Sequence, residues 1–198
     1  MQLFSTIPIN VKGATIMSKN ILVITGSPRK GGNSETLAKA FAKGAEAKGH
    51  IVTMFNASKN IGGCKACDTC WSKGRACSFS DGFTELEPLL EQADAVVFAT
   101  PLYWFSFSAQ IKASIDRIYA YVSPNKLRSL KIKESALLAC AGDTDVHVFD
   151  GLILTYEIMM RYINWHNAGV LAVPGVMEKG DILQTDALEK AEQFGMNF

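Results

Sequence analysis

Ile21-Leu22-Val23-Ile24-Thr25, running directly into Gly26-Ser27-Pro28-Arg29-Lys30-Gly31-Gly32-Asn33-Ser34, is the stretch on which the fold turns. A short β-branched apolar run is the pattern of a buried strand. The glycine, serine and basic residues behind it form a loop that opens a helix near Asn33 or Ser34. The first amides of a helix have no internal acceptor and sit at the positive end of its dipole. A phosphate is therefore the expected guest of this loop. Gly31 and Gly32 allow close backbone approach, Ser27, Asn33, Ser34 and Thr36 offer side-chain donors, and Arg29 adds positive charge. The plainer alternative is a glycine-rich turn capped by Asn or Ser with no ligand.

Outward from this stretch, short apolar runs alternate with helix-period segments, which is the signature of βαβ units around a parallel sheet. Strands are expected at about 21–25, 50–55, 95–99, 135–140 and 168–173. Helices are expected at about 34–48, 83–91, 108–121, 150–162 and 186–194. The sequence lacks Gly-x-Gly-x-x-Gly, and Phe55-Asn56-Ala57 stands where a dinucleotide fold would end its second strand on an acidic residue. The other doubly wound arrangement, with strand order 2-1-3-4-5, places flavin mononucleotide (FMN) beyond strands one and three. The loops 26–34 and 100–108 would then face each other.

Composition bounds the partners. The 198 residues suit one domain, 48% of them are hydrophobic, and the formal net charge is +1. No basic block suggests nucleic acid, and no apolar run reaches the ~18 residues of a membrane span. Met1 to Ile16 has no basic segment ahead of an apolar one, so a signal peptide is not expected and the chain reads as cytoplasmic. Residues 1–19 are taken as an N-terminal extension and 20–198 as the folded domain.

A second loop, Thr100-Pro101-Leu102-Tyr103-Trp104-Phe105-Ser106-Phe107-Ser108, leaves the third strand. Consecutive aromatics on a loop are costly to expose and call for a core, a second subunit or a flat ligand. Residues 21–36 and 100–117 together resemble the NAD(P)H-dependent FMN reductase family of flavodoxin-like proteins. That family shows a strand, Gly-Ser-Pro-Arg, Gly-Asn and Ser/Thr, then Pro-x-Tyr-Trp/Phe and Ser-x-x-x-Lys-x-x-x-Asp-Arg. Ser108, Lys112, Asp116 and Arg117 fall in this pattern. The resemblance implies a flavodoxin-like doubly wound sheet of five parallel strands in a three-layer sandwich. It implies FMN held at its phosphate by Ser27, Arg29, Asn33, Ser34 and Thr36, and at its ring by Pro101, Leu102, Tyr103 and Trp104, with Gly142 near the ring after strand four. It also implies electrons from NAD(P)H passing through the flavin to a quinone, a nitro or azo compound, a metal ion or free flavin, in a homodimer or homotetramer. Asp116 and Arg117 are expected to form a structural pair on a helix surface.

Four of the five cysteines, Cys64, Cys67, Cys70 and Cys77, crowd into the segment 61–82. Thiolates at this spacing can converge on an iron–sulfur cluster, whereas zinc sites usually join two pairs across a longer spacer. The segment resembles the Cys-rich loop of the iron–sulfur flavoproteins, a branch of the same family, which implies a possible [4Fe–4S] cluster and an electron-carrier role. Free thiols in a structural or substrate-lining loop, zinc, and an FMN-binding module without turnover remain the alternatives. Cys140 is expected to be a buried thiol at a strand end. His147, beside Asp143 and Asp145, is either a proton donor or incidental.

Overall fold

In a computed structural model, which describes residues 17–198, five strands alternate with helices. In chain order these are β1 (Asn20–Thr25), α1 (Asn33–Ala47), β2 (Ile51–Asn56), α2 (Phe83–Gln92), β3 (Ala95–Pro101), α3 (Ala109–Arg117), α4 (Tyr119–Val122), β4 (Glu134–Cys140), α5 (Asp150–Ile163), β5 (His166–Val173) and α6 (Ala187–Met196). The strands form one parallel sheet in the order β2-β1-β3-β4-β5. Ile21 and Val23 point to one face, where they pack with Leu37 and Phe41 of α1 and Ala191 of α6. Leu22 and Ile24 point to the other, among Leu86 of α2, Ile111 of α3 and Tyr156 of α5. Helices cover both faces, so β1, β3 and β4 must be apolar at nearly every position rather than at alternate ones.

The first strand order change lies between β1 and β3, whose C-terminal ends release the loops 26–32 and 102–108. Their closeness is built in. Gly26 N–H donates to Ala99 O at 2.7 Å, and Ser108 Oγ donates to Gly26 O at 2.7 Å. A Cβ on Gly26 would lie 2.6 Å from Ser108 Oγ, so only glycine lets the two loops meet.

The sharpest departure from the expected elements is in the helix 108–121. It divides at Ile118, whose N–H reaches back three residues to Ile115 O, as Tyr121 N–H does to Ile118 O. The tighter turn brings Tyr121 inward, where its hydroxyl donates to Glu91. The expected extension 1–19 falls mostly on residues 1–16, outside the described residues. Lys19, its last member, is tied to the fold by an ion pair to Glu134 at 2.5 Å and a hydrogen bond to the Phe198 carbonyl at 2.7 Å.

Helices α1 and α6 touch at glycines. A Cβ on Gly44 would fall 1.9 Å from Glu192 O, and one on Gly195 would fall 2.0 Å from Phe41 O. Alanine normally gains about 0.5–1 kcal/mol over glycine inside a helix. Here the contact is with backbone, so overpacking of about 1–3 kcal/mol outweighs that gain. Gly44→Ala should therefore lower the unfolding midpoint in a denaturant titration; an equal or raised midpoint would show that the two helices separate freely.

Candidate functional site

The N-terminus of α1 is left open by its own sequence. Its cap residue is Gly32, which has no side chain to turn back on the helix. Gly31 N–H is taken by Glu35 Oε2 at 2.7 Å and Gly32 N–H by Arg29 O at 3.0 Å. Among the described residues the amides of Asn33, Ser34 and Glu35 find no acceptor. Ser34 is 2% exposed, and its Oγ has no hydrogen-bond partner. A buried hydroxyl without a partner costs about 1–3 kcal/mol. Open amides, an orphaned hydroxyl and the positive end of a dipole together are what an anionic oxygen would satisfy.

These groups belong to an open cleft of about 250 Å³, shared by Ser27, Arg29, Asn33, Ser34, Pro101, Leu102, Tyr103 and Gly142. Eight residues expected at the site are thus brought together from three loops. The cleft also contains Cys140 and Ala141 from the end of β4, and Val176, Met177 and Lys179 from the segment between β5 and α6. That last wall carries no sequence motif. It approaches because Gly175 N–H donates to Asp143 O at 2.7 Å and Val176 N–H to Ala141 O at 2.8 Å. A Cβ on Gly142 would lie 2.5 Å from Met177 Sδ, so the two loops meet through the Met177 side chain. Burial pushes the Cys140 thiol up to about 12, so it stays neutral.

Two residues expected to contact the ligand are not among those lining the cleft. Thr36 does not line the cleft; its Oγ1 donates to Gly32 O at 3.1 Å, closing the first helical turn. Trp104 does not line it either. Tyr103 and Ser106 bond each other's backbone across a two-residue turn, with Trp104 at φ 47° and Phe105 at φ 61°. Both central residues are left-handed, as in the tight turns usually filled by Asn-Gly, so Trp104 is thrown outward and is 94% exposed. Asn33 lines the cleft, but its amide is engaged: Nδ2 donates to Val176 O at 3.1 Å and to Glu178 O at 2.8 Å, and Oδ1 accepts from Gly180 N–H at 3.0 Å.

The cysteine segment forms a second, small concavity, of about 30 Å³, lined by all four of Cys64, Cys67, Cys70 and Cys77 together with Arg117 and Tyr119. No disulfide joins them. Among the described residues no three His, Cys, Asp or Glu side chains converge tightly enough to hold a single metal ion. The Thr69 hydroxyl beside Cys67 draws that thiol below its ordinary pKa, whereas burial raises that of Cys70.

Protein contacts shape this segment at both ends and in its middle. Asp81 accepts from Gly62 N–H at 3.1 Å and from Phe83 N–H at 2.9 Å. Arg117 grips the same carboxylate with two donors, at 2.8 and 2.5 Å. Glu87 accepts from Ala76 N–H at 2.8 Å and pairs with Arg128 at 2.7 Å; Arg128 also donates to Gly74 O. The surface pairing expected of Asp116 with Arg117 does not occur. Asp116 binds Lys112 one helical turn back, and Arg117 turns inward to Asp81. Asp143 and Asp145 spend their carboxylates on the N–H groups of Asp145 and His147, and the exposed His147 ring meets Asp150 at 3.2 Å. Nothing in these contacts aims His147 at the cleft as a proton donor.

The sequence and the fold have counterparts among known proteins. Residues 19–156 match the family described as NADPH-dependent FMN reductase. The chain is 41% identical over 99 residues to an iron–sulfur flavoprotein of Archaeoglobus fulgidus, a stretch covering 50% of this chain and 44% of that one. It is 27% identical over 168 residues to a Bacillus subtilis protein provisionally named an NAD(P)H-dependent FMN-containing oxidoreductase, covering 83% and 89%. An NAD(P)H:quinone oxidoreductase from Methanothermobacter marburgensis superposes with a TM-score of 0.71 at 19% identity, covering 91% of this chain and 97% of that one, which shows the shared fold. The chain spans 44%, 61% and 52% of three iron–sulfur flavoproteins that it matches. No helix among the described residues is long and apolar enough to cross a membrane.

Proposed function

Since the chain belongs to the NADPH-dependent FMN reductase family, we propose that it is an oxidoreductase that binds FMN in the cleft beyond β1 and β3. It takes electrons from NAD(P)H and passes them to a small acceptor: a quinone, a nitro or azo compound, a metal ion or free flavin. The observation that carries this reading is the orphaned Ser34 hydroxyl beside the open amides of α1. Bound FMN would supply hydride acceptance and onward electron transfer; the chain supplies binding, orientation and exclusion of water. Ser27, Arg29 and Ser34 would hold the phosphate. Pro101, Leu102, Tyr103 and Gly142 would lie along the ring, with Met177 closing the cleft from the side. The exposed Trp104 and Phe105 support an assembly of two or four copies, because an exposed aromatic pair marks an interaction surface.

FMN-loaded protein mixed with NADPH or NADH without oxygen should lose its flavin band near ~450 nm, and adding a quinone should restore it. Failure of both nucleotides to reduce the bound flavin would overturn the donor assignment.

A second reading is favoured by the gathering of all four cysteines around one concavity. There the chain is an iron–sulfur flavoprotein whose Cys64, Cys67, Cys70 and Cys77 hold a cluster, and the acceptor is served by single electrons. The same anaerobic spectrum separates the two. A broad shoulder near ~400 nm that disappears in the fourfold Cys→Ser variant supports the cluster. Iron-free protein from iron-supplemented anaerobic expression contradicts it.

A further inference from the structure

The sequence pattern places Asn33 among the phosphate ligands, yet its side chain is committed to the segment 176–180. Three of the four hydrogen bonds that an asparagine amide can make go to Val176 O, Glu178 O and Gly180 N–H. The remaining capacity is an acceptor lone pair, which a phosphate oxygen cannot use. The segment it grips turns at Gly175 and Gly180, both at positive φ, 72° and 99°. Arg29 adds a fourth tie, from Nη1 to Met177 O at 3.3 Å.

This grip sets down one cation. Lys179 reaches back over Gly31, where a Cβ would lie 3.3 Å from its Cε and 3.4 Å from its Nζ. Gly31 itself is left-handed, at φ 67°. Lys179 lines the same cleft as Ser27, Arg29 and Ser34. Among the described residues its ammonium has neither an ion-pair nor a hydrogen-bond partner, while Glu35, the acid of this turn, is held by Lys39 and by Gly31 N–H. An uncommitted ammonium lining the same cleft as an orphaned buried hydroxyl and three open amides is placed to meet an anion there.

We propose that Lys179 is a phosphate-binding residue of the cleft and that Asn33 is a positioning residue acting through it, by holding the segment 176–180 across the loop 29–32. The proposal rests on the reading of the cleft as an FMN site. It gives this chain a phosphate grip from two directions: the loop before α1 and the loop before α6.

The test is the affinity of the full chain for FMN and for riboflavin, by flavin fluorescence titration, in wild type, Lys179→Met, Asn33→Ala and the double variant. Lys179 is exposed, so its replacement by methionine leaves the core intact. Lys179→Met should weaken FMN binding about tenfold, the loss expected for one charge-assisted hydrogen bond, and leave riboflavin unchanged. Asn33→Ala should weaken FMN similarly, and the double variant should be no worse than the weaker single variant. Unchanged FMN affinity in Lys179→Met, or an equal loss for riboflavin, would overturn the role of Lys179. Additive losses in the double variant would overturn the positioning role of Asn33. Wild type that binds neither flavin would instead remove the FMN reading, and this proposal with it.

Discussion

Arg117→Met is expected to cost about 3–5 kcal/mol of unfolding free energy, the penalty for removing one partner of a buried ion pair. Arg117 is 5% exposed and lies over the Phe83 ring, 5.2 Å from its centroid. Its removal strands Asp81, which also holds the N–H groups of Gly62 and Phe83. Both ends of the cysteine segment hang on that carboxylate, so the loss should spread to the second concavity. Lysine is not a conservative replacement, because its single nitrogen cannot reproduce the planar two-nitrogen fork of the guanidinium. Surface pairs such as Lys190–Asp186 set the contrast, since exposed pairs typically contribute only about 0–1 kcal/mol.

The same pair predicts an acid dependence. Burial pushes the Asp81 pKa up, but the Arg117 guanidinium and the two backbone N–H groups outweigh it, leaving the pKa below its ordinary value. A folded-state pKa below the unfolded one means that the folded state releases the proton more readily. The stabilisation is therefore present above the unfolded pKa of ~3.9 and lost as pH falls through the lower, folded value. Asp94, held by Asn20 N–H and Lys131, acts in the same direction. Denaturant unfolding of wild type should weaken below pH ~4. In Asp81→Asn that acid limb should flatten, and an unaltered limb would show that Asp81 carries no part of it.

Ser34→Ala combined with Arg29→Ala is expected to weaken FMN binding at least tenfold. Hydrogen bonds to charged groups contribute about 1.5–3 kcal/mol each, and two phosphate contacts are removed at once. The serine change alone takes away a hydroxyl that has no partner in the protein, so it should not lower the stability of the unliganded chain. That separates a ligand-binding hydroxyl from a structural one. Unchanged affinity by fluorescence titration would mean that the phosphate sits elsewhere.

The strand order, the meeting of the loops after β1 and β3, and most of the cleft were legible because local chemistry marks them. A glycine loop between strand and helix, and aromatics behind a strand, are signals within a few residues. That Thr36 and Trp104 do not line the cleft has a local reason too: spacing gives the element but not the rotamer or the turn. Thr36 bonds its own helix, and a left-handed two-residue turn filled by Trp104 and Phe105 aims the indole outward. The inward turn of Arg117 could not be read from its helix, since Asp81 is 36 residues away. Met177 and Lys179 were invisible because nothing in Val176-Met177-Glu178-Lys179 marks a site. Contacts distant in sequence bring them to it: the Asn33 amide, 143 to 147 residues away, the Arg29 guanidinium, and the backbone bonds of Gly175 and Val176 to Asp143 and Ala141.

A crystal structure of the full chain with FMN tests the central claim most directly. The phosphate should lie within hydrogen-bonding distance of Ser34 Oγ and the amides opening α1, with the ring along Pro101, Leu102 and Tyr103. A phosphate bound away from α1, or a flavin seated in the cysteine concavity, would contradict the account.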